Sequence, residues 1–457
     1  MADPGREPDL SGNSLALANL RGAVILVVVA FHASSAYLGS LPRAAYRFDR
    51  APYLWDAFPI VDKSRWYGLD LLCAWQDVYL MCLMFFLSAL FTWPSLTRKG
   101  AAQFVSGRLL RLGAPYLFGI LVVMPIALYP AYRVTAVDPG VPAYLGHLFA
   151  LPFWPNGPLW FLWQLLALSF AAAGVYRFAP GLIGYLARKS SSADLRPTRY
   201  VFLVAGACIA AYVPLALAFS PLSWADRGPF SIQLSRPFIY IVAYFAGLGV
   251  GAAGLGAGLL APDGALVRHW ARWLAGAAAT YCLWIAFAAF AMRPGVAAPL
   301  WLQIPMDVSY AIACAAGWFG ALALCLRFGA VRSPILRSLS ENAFGIYVVH
   351  YGFVVWLQYA LLGVAAPAIV KASMVFTASL LLSWGVVCLL RFTPFGLALM
   401  GGERTITLRA RNRRGVSHDL SAVAPSESTV RARNRRGVSH GLGAGAPSEH
   451  RFPHIAR

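Results

Sequence analysis

The sequence predicts an all-α fold, a polytopic membrane bundle of about ten transmembrane helices. Hydrophobic residues make up 59% of its 457 residues and charged residues only 12%, whereas a typical soluble domain has about 25% charged residues. The apolar residues are concentrated in stretches of about 20, the length with which an α-helix crosses the hydrocarbon core. Trp and Tyr lie at many ends of these stretches, where the membrane–water interface favours their amphipathic rings. This composition excludes a soluble globular protein and a largely disordered one.

Ten segments have the length and apolarity of a span. They are residues 15–38, 69–93, 109–131, 158–180, 200–220, 236–255, 270–292, 305–326, 342–363 and 366–390. The sixth segment is rich in Gly, and the first contains Arg21 and His32, so these two differ most from a plain apolar span. All seven cysteines lie inside apolar segments without the spacing of metal ligands, so we expect no metal site.

The distribution of basic residues predicts the orientation in the membrane. Ten spans put both termini on one side. With the N-terminus in the cytoplasm, the cytoplasmic segments hold 27 of the 38 Lys and Arg residues and the outer loops hold 10, while Arg21 lies inside a span. Because cytoplasmic loops carry the excess of basic residues, we expect both termini in the cytoplasm. Residues 1–14 then form a short cytoplasmic N-terminus ahead of a ten-helix membrane domain at 15–391.

The C-terminal segment, residues 392–457, has a different pattern. RARNRRGVSHDL at 409–420 returns as RARNRRGVSHGL at 431–442, a tandem repeat with a period of 22 residues. Its apolar content is too low for a core, which predicts a disordered tail. The tail is basic, and we expect it to contact anionic lipid headgroups rather than nucleic acid. A recent tandem duplication without function explains the repeat equally well.

The two ionisable residues of the first segment, LALANLRGAVILVVVAFHASSAYL, each need an explanation, because a charged side chain in hydrocarbon costs about 2.5–3.5 kcal/mol. Arg21 and His32 are eleven residues apart, which at 100° per residue is three turns plus about 20°, so both lie on one helix face about 16 Å apart. Arg21 could hold a phosphate through its guanidinium, and His32 could take a proton from a hydroxyl. The alternatives are that Arg21 reaches the interface and His32 is a hydrogen-bonded packing residue.

Three further polar residues lie in apolar segments. Asp77, in the second segment, could orient His32 by accepting its other ring N–H. His350, in the ninth segment, is either a second base or a hydrogen-bonded structural histidine. Lys371, near the outer end of the tenth segment, is expected to extend to the interface.

Five stretches, in order, resemble the bacterial acyltransferase-3 family of integral-membrane O-acyltransferases. They are the Arg–His spacing of LRGAVILVVVAFH, MFFLSALF at 84–91, RLLRLGAPYL at 108–117, GPLWFLWQLL at 157–166 and SENAFGIYVVHYGFVV at 340–355. The loop pattern between the second and third segments is similar to the branch that includes periplasmic-glucan-modifying proteins. The chain departs from the family pattern at Ala18, where an acidic residue is usual, at Ala89 in place of Gly, and at Pro158 in place of His.

The resemblance implies transfer of an acyl group from cytoplasmic acyl-CoA to a hydroxyl of a carbohydrate or glycan at the outer face of the bacterial inner membrane. The essential Arg and His of the family correspond to Arg21 and His32. Its loop arginines correspond to Arg108 and Arg111, which would reach the CoA phosphates together with Arg21. His32 would act as general base, or would itself be acylated transiently.

A second hypothesis comes from another class of protein, a secondary transporter or flippase for an anionic or sugar substrate. Ten helices with titratable residues near the membrane centre and segments interrupted by Gly and Pro also suit transport. An inverted repeat would support this alternative, and residues 15–200 show no similarity to residues 200–391.

Overall fold

The computed structural model describes residues 12–193, 196–291, 298–393 and Gly396. In these ranges it is a bundle of α-helices with one short β-hairpin. The helices are α1 (Gly12–Ser34), α2 (Tyr67–Leu90), α3 (Thr92–Lys99), α4 (Ala101–Arg108), α5 (Ala114–Phe118), α6 (Met124–Thr135), α7 (Val141–Phe149), α8 (Trp160–Phe178), α9 (Pro180–Ser191), α10 (Pro197–Phe219), α11 (Pro237–Ala253), α12 (Ala265–Arg268), α13 (Trp270–Ala291), α14 (Leu300–Phe328), α15 (Pro334–Ala360) and α16 (Ala368–Leu390). The hairpin pairs β1 (Trp224–Arg227) with β2 (Phe230–Gln233) in antiparallel register.

The predicted all-α membrane fold is confirmed. In the described ranges nine continuous or nearly continuous helical runs are long and apolar enough to cross a membrane. A pair of shorter helical stretches, Pro237–Ala253 and Gly258–Arg268, passes the same test only when taken together, and the two are bent by 79° relative to each other, as in a broken span or a re-entrant loop. The sixth predicted segment, 236–255, is therefore a 17-residue helix followed by a sharp bend rather than a simple span. The protein is a multi-pass membrane protein.

The Gly content of the sixth segment has a packing reason. Helix α11 runs alongside α2, and its Gly247 and Gly251 face the backbone of that helix. A Cβ atom at Gly247 would overlap the carbonyl oxygen of Phe86, and one at Gly251 would overlap that of Leu90. Small residues four apart allow this close backbone approach between membrane helices. The two helices therefore touch through their main chains.

The third span, Ala101–Thr135, is longer than the predicted 109–131 and contains two π-helical turns. These turns, Leu109–Gly113 and Gly119–Val123, each end two residues before a proline, Pro115 and Pro125. A proline lacks the N–H that the carbonyl four residues earlier would otherwise accept, so the local hydrogen-bond pattern widens. Arg111 lies in the first of these turns.

The described chain begins and ends at the same end of the bundle. Ser340 Oγ, near the start of α15, donates a hydrogen bond to Ala18 O of α1 (2.7 Å). Arg391, which follows α16, donates to the main-chain oxygen of Glu341, the residue after Ser340. We call this the basic end, because Arg98, Lys99 and Arg108 of α3 and α4 also lie there; the other end, where residues 38–66 follow α1, is the loop end. The predictions for the two termini and for the 392–457 tail concern residues 1–11 and 394–457, which apart from Gly396 lie outside the described ranges.

The loop end is tightly folded. The indole of Trp55 is fully buried, stacks on Phe48 with ring centroids 4.2 Å apart, and donates from Nε1 to Phe48 O (3.1 Å). The backbone N–H groups of Gly39 and Ser40, just after α1, donate to the carboxylate of Asp70 at the start of α2. These contacts hold the long connection against the start of α2 and give it a defined shape.

Candidate active site

A cavity of about 440 Å³ opens between α1, α2, α3, α4, α8 and α15 toward the basic end. Its lining combines cations, hydroxyl groups and apolar side chains. The polar and charged lining residues are Arg21, Ser88, Ser95, Arg98, Lys99, Gln103, Arg108, Arg111, Ser340 and Tyr347. Five of these are cations and no lining residue is acidic, so the cavity favours an anionic ligand.

The three arginines predicted from the sequence, Arg21, Arg108 and Arg111, thus line one cavity. Arg98 and Lys99, which are not among the predicted site residues, line the same cavity. They are in the last turn of α3, and the sharp break at Gly100 (φ +76°) turns the chain so that α4 and its Arg108 return toward them. The short TRKG stretch between two apolar segments was the signal in the sequence, since a basic break between spans marks a helix end.

Two of these arginines are held by further contacts. The Arg21 guanidinium lies over the Phe91 ring, 5.2 Å from its centroid. Arg108 Nη2 donates to Thr92 Oγ1 (3.2 Å), and its guanidinium lies 5.1 Å from the centroid of Phe104. These contacts are with aromatic rings and a neutral hydroxyl, and none of them is with a carboxylate. They therefore leave the positive charge of both guanidinium groups uncompensated.

Deeper along α1, the structure brings His32 against a second histidine. The ring centroids of His32 and His350 are 5.3 Å apart, and Tyr351 packs edge-on against His32 at 5.1 Å. His350 is fully buried, its Nδ1 lies 2.7 Å from Tyr347 O, and its Nε2 has no hydrogen-bond partner among the described residues. A carbonyl can only accept, so neutral His350 carries its proton on Nδ1 and a free lone pair on Nε2.

Tyr347 connects the cavity to the two histidines. It lines the cavity, its ring lies 6.0 Å from that of His350, and its hydroxyl donates to the main-chain oxygen of Pro158. Pro158 is the position at which the chain lacks the family's usual histidine, and it belongs to a buried turn, Gly157–Leu159, that enters the bundle before α8. The anionic-ligand cavity and the histidines are thus neighbours separated by one tyrosine ring.

The structure does not bring Asp77 to His32. Asp77 instead forms a bidentate ion pair with Arg236, at 2.8 Å (Nη1–Oδ1) and 2.5 Å (Nη2–Oδ2). Arg236 is 4% exposed and precedes α11 by one residue. The expected orienting role of Asp77 is therefore wrong. The buried guanidinium of Arg236 binds the Asp77 carboxylate more strongly than a neutral imidazole would.

The expectation for Lys371 is also wrong. Its side chain is 1% exposed and its Nζ contacts both carboxylate oxygens of Asp62, at 2.9 and 2.8 Å. It does not extend to the interface; it pairs with the loop end across 309 residues of sequence.

A model of the acyltransferase-3 family, described as an acyltransferase domain, matches residues 15–388. No curated protein and no solved structure matches the chain. The described residues contain no group of three or more His, Cys, Asp or Glu side chains that could hold a metal ion.

Proposed function

Because the chain belongs to the acyltransferase-3 family, it is a membrane O-acyltransferase, and we propose that it moves an acyl group from acyl-CoA to a hydroxyl of a carbohydrate or glycan. The transporter hypothesis is left without support, since the family match covers the whole membrane region. The observation that carries the proposal is the cavity lined by five cations beside the His32–His350 pair.

The cationic cavity suits the donor. Acyl-CoA carries several phosphates, and guanidinium groups bind phosphate oxygens in pairs. Arg21, Arg108 and Arg111 would hold these phosphates, with Arg98 and Lys99 adding charge near the opening. Apolar lining residues such as Leu87 and Phe161 continue inward from the cations. The acyl thioester would thus point toward Tyr347 and the histidines.

The histidine pair suits the proton transfer. The acceptor hydroxyl attacks the thioester carbonyl, His32 takes the hydroxyl proton, and that proton goes to the departing CoA thiolate. His350 supports this step as a neighbour whose Nε2 lone pair is free, or serves as the base itself. Transient acylation of His32, followed by transfer to the hydroxyl, leads to the same products.

We place the basic end in the cytoplasm of a bacterium and the loop end at the outer face of its inner membrane. The supporting observation is the excess of Lys and Arg on the side where the cationic cavity opens. Donor and acceptor would then reach the histidines from opposite sides. The loop pattern of the chain resembles the branch that includes periplasmic-glucan-modifying proteins, and we therefore propose a glucan or a related glycan as the acceptor.

Two substitutions separate donor binding from chemistry. Arg21→Ala removes a charged phosphate contact and should weaken binding of a non-hydrolysable acyl-CoA analogue about 10- to 100-fold; Arg21→Lys keeps the charge without the planar fork and should restore it only in part. His32→Gln cannot take up a proton and should lower turnover by about 10²–10⁴, with analogue affinity within about twofold of wild type.

The measurements are analogue affinity and CoA release by the purified full-length variants. Matched controls are Arg199→Ala and His269→Gln, exposed residues at the basic end that do not line the cavity. Excess anionic lipid vesicles in the binding assay distinguish CoA phosphates from lipid headgroups as the ligand of the cations. Near-wild-type turnover of His32→Gln would make His32 structural and leave His350 as the base.

A further inference from the structure

At the loop end, Asp56 is connected to His32 through Tyr351, which contacts both residues. It is the last residue of the turn Leu54–Asp56, and its main-chain oxygen accepts a hydrogen bond from Tyr351 OH (3.3 Å). The same Tyr351 ring packs against His32 with centroids 5.1 Å apart. Asp56 is thus adjacent to the histidine pair on the side opposite the cationic cavity.

The carboxyl group of Asp56 differs from the other three between α1 and the first turn of α2. Asp49 pairs with Arg47, Asp62 pairs with Lys371, and Asp70 accepts two backbone N–H groups. Oδ1 of Asp56 is buried and has no hydrogen-bond partner among the described residues. A buried oxygen without a partner costs about 1–3 kcal/mol, so such an atom in a native structure needs an explanation.

The packing of the neighbouring residues fixes the position of Asp56. Asp56 follows the fully buried Trp55, which is stacked between Phe48 and Phe153. Tyr53, at the start of the turn, has left-handed backbone angles (φ +54°), a conformation that costs a residue other than Gly roughly 1–2 kcal/mol. The loop therefore holds Asp56 in place at an energetic cost, as expected of a binding group whose partner is a ligand.

Burial, and then the charge of Asp226 in β1, raise the pKa of Asp56 to about 7. A second carboxyl is therefore near enough to act on the first. Two neighbouring carboxyls repel an anionic ligand and accept hydrogen bonds from hydroxyl groups. Trp224, also in β1, is 43% exposed and packs edge-on against Trp160, so an apolar ring face lies on the same hairpin. Carboxyls and an aromatic face together suit a neutral sugar.

We propose that Asp56 binds the acceptor, its carboxyl accepting a hydrogen bond from a hydroxyl of a neutral sugar held at the loop end beside Tyr351 and His32. This inference rests on the proposed function and names the acceptor side of that site. It also assigns a reason to the unpartnered oxygen: the sugar hydroxyl supplies the missing donor.

The experiment uses the full chain in nanodiscs, acetyl- or succinyl-CoA as donor, and neutral glucose oligomers as acceptor. Asp56→Ala should raise the acceptor KM at least about tenfold, since a hydrogen bond to a charged group is worth about 1.5–3 kcal/mol. Asp56→Asn keeps one acceptor oxygen and should raise it less. Both should bind the CoA analogue like wild type. Asp49→Asn, an exposed carboxylate in the same loop, is the matched control and should leave the acceptor KM unchanged.

A thermal-unfolding series between pH 5 and pH 8 separates binding from a structural role. Because folding raises the pKa of Asp56 above its ordinary 3.8, its protonated form stabilises the protein below about pH 4, and that stability is lost as the pH rises through about 7. The titratable groups that interact with it among the described residues are Asp226 and Tyr351. The stability of Asp56→Asn minus that of wild type should therefore be larger at pH 8 than at pH 5.

The outcomes are distinct. An unchanged acceptor KM for Asp56→Ala, with active wild type, overturns this inference and leaves the proposed function intact. A large loss of stability in both variants at pH 8 also overturns it, because the carboxyl would then be structural. If wild type binds the CoA analogue but releases no CoA with any glucose oligomer, the proposed glycan acceptor fails, and the inference fails with it.

Discussion

The ion pair between Asp62 and Lys371 shows how much a single residue contact decides at the loop end. Both side chains are at most 1% exposed, and the two contacts are 2.8 and 2.9 Å long. Asp62 also accepts the backbone N–H of Ser64 (2.7 Å), and its own N–H donates to Ala36 O (3.0 Å). The pair therefore ties α16, the loop and the end of α1 together.

Lys371→Met should lower the free energy of unfolding by about 3–5 kcal/mol, because it leaves the Asp62 carboxylate buried without its cation. The double variant Asp62→Asn with Lys371→Met should recover most of that loss. Thermal unfolding in detergent measures both. Arg47→Met, which breaks the exposed pair with Asp49, should cost less than about 1 kcal/mol; an equal loss in the two single variants would contradict the assigned role of the buried pair.

The candidate catalytic residues, Arg21 and His32, show the same dependence on single contacts. Arg21 and His32 both lie in the single helix α1, and Arg21 lines the cationic cavity. Asp77, the residue predicted to orient His32, pairs with Arg236 instead, and the imidazole ring that packs against His32 is that of His350, predicted as a second base or a structural histidine. No local pattern predicts these two contacts, since Arg236 and His32 are each more than 150 residues distant in sequence from the residue they contact, Asp77 and His350.

At the scale of helices, the close contact between α11 and α2 is the feature most sensitive to substitution. Gly251→Ala places a methyl group on the carbonyl oxygen of Leu90, which belongs to the backbone and cannot rotate away. We expect most of this variant to be misfolded, as read from its yield as a monodisperse peak in size-exclusion chromatography. Gly206→Ala, in α10, has open space around the added methyl group and should be neutral or more stable by up to about 1 kcal/mol. A normal yield of Gly251→Ala would show that the two helices can separate without loss of the fold.

At the scale of the whole molecule, the paired ends of α1 and α16 make a prediction about topology. A fluorescent protein fused after Arg391 should fluoresce and a phosphatase fused there should be inactive, because we place the basic end in the cytoplasm. A phosphatase inserted after Arg43, in the exposed part of the loop end, should be active. The opposite pattern at both sites would show the opposite membrane orientation, with the cationic cavity opening on the side without acyl-CoA.

The sequence by itself determined the features that depend on nearby residues. Apolar stretches of about 20 residues predict spans because each helix satisfies its own backbone hydrogen bonds in lipid, and a spacing of eleven predicts a shared face because the helical period is fixed. The family resemblance predicted the enzyme class, which the family match supports. Helix α7 and the β1–β2 hairpin lie in connections between the predicted spans, where the sequence has no such signal.

Only the tertiary structure decided which distant groups meet. The pairs Asp77–Arg236 and Asp62–Lys371 join residues 159 and 309 positions apart, and the cationic cavity collects Arg21 and Arg98 from different helices. The unpartnered oxygen of Asp56 is visible only once its neighbours are in place. The physical reason is that burial and hydrogen bonding depend on what packs around a side chain, and in a membrane bundle that is set by helix–helix contacts rather than by the order of residues along the chain.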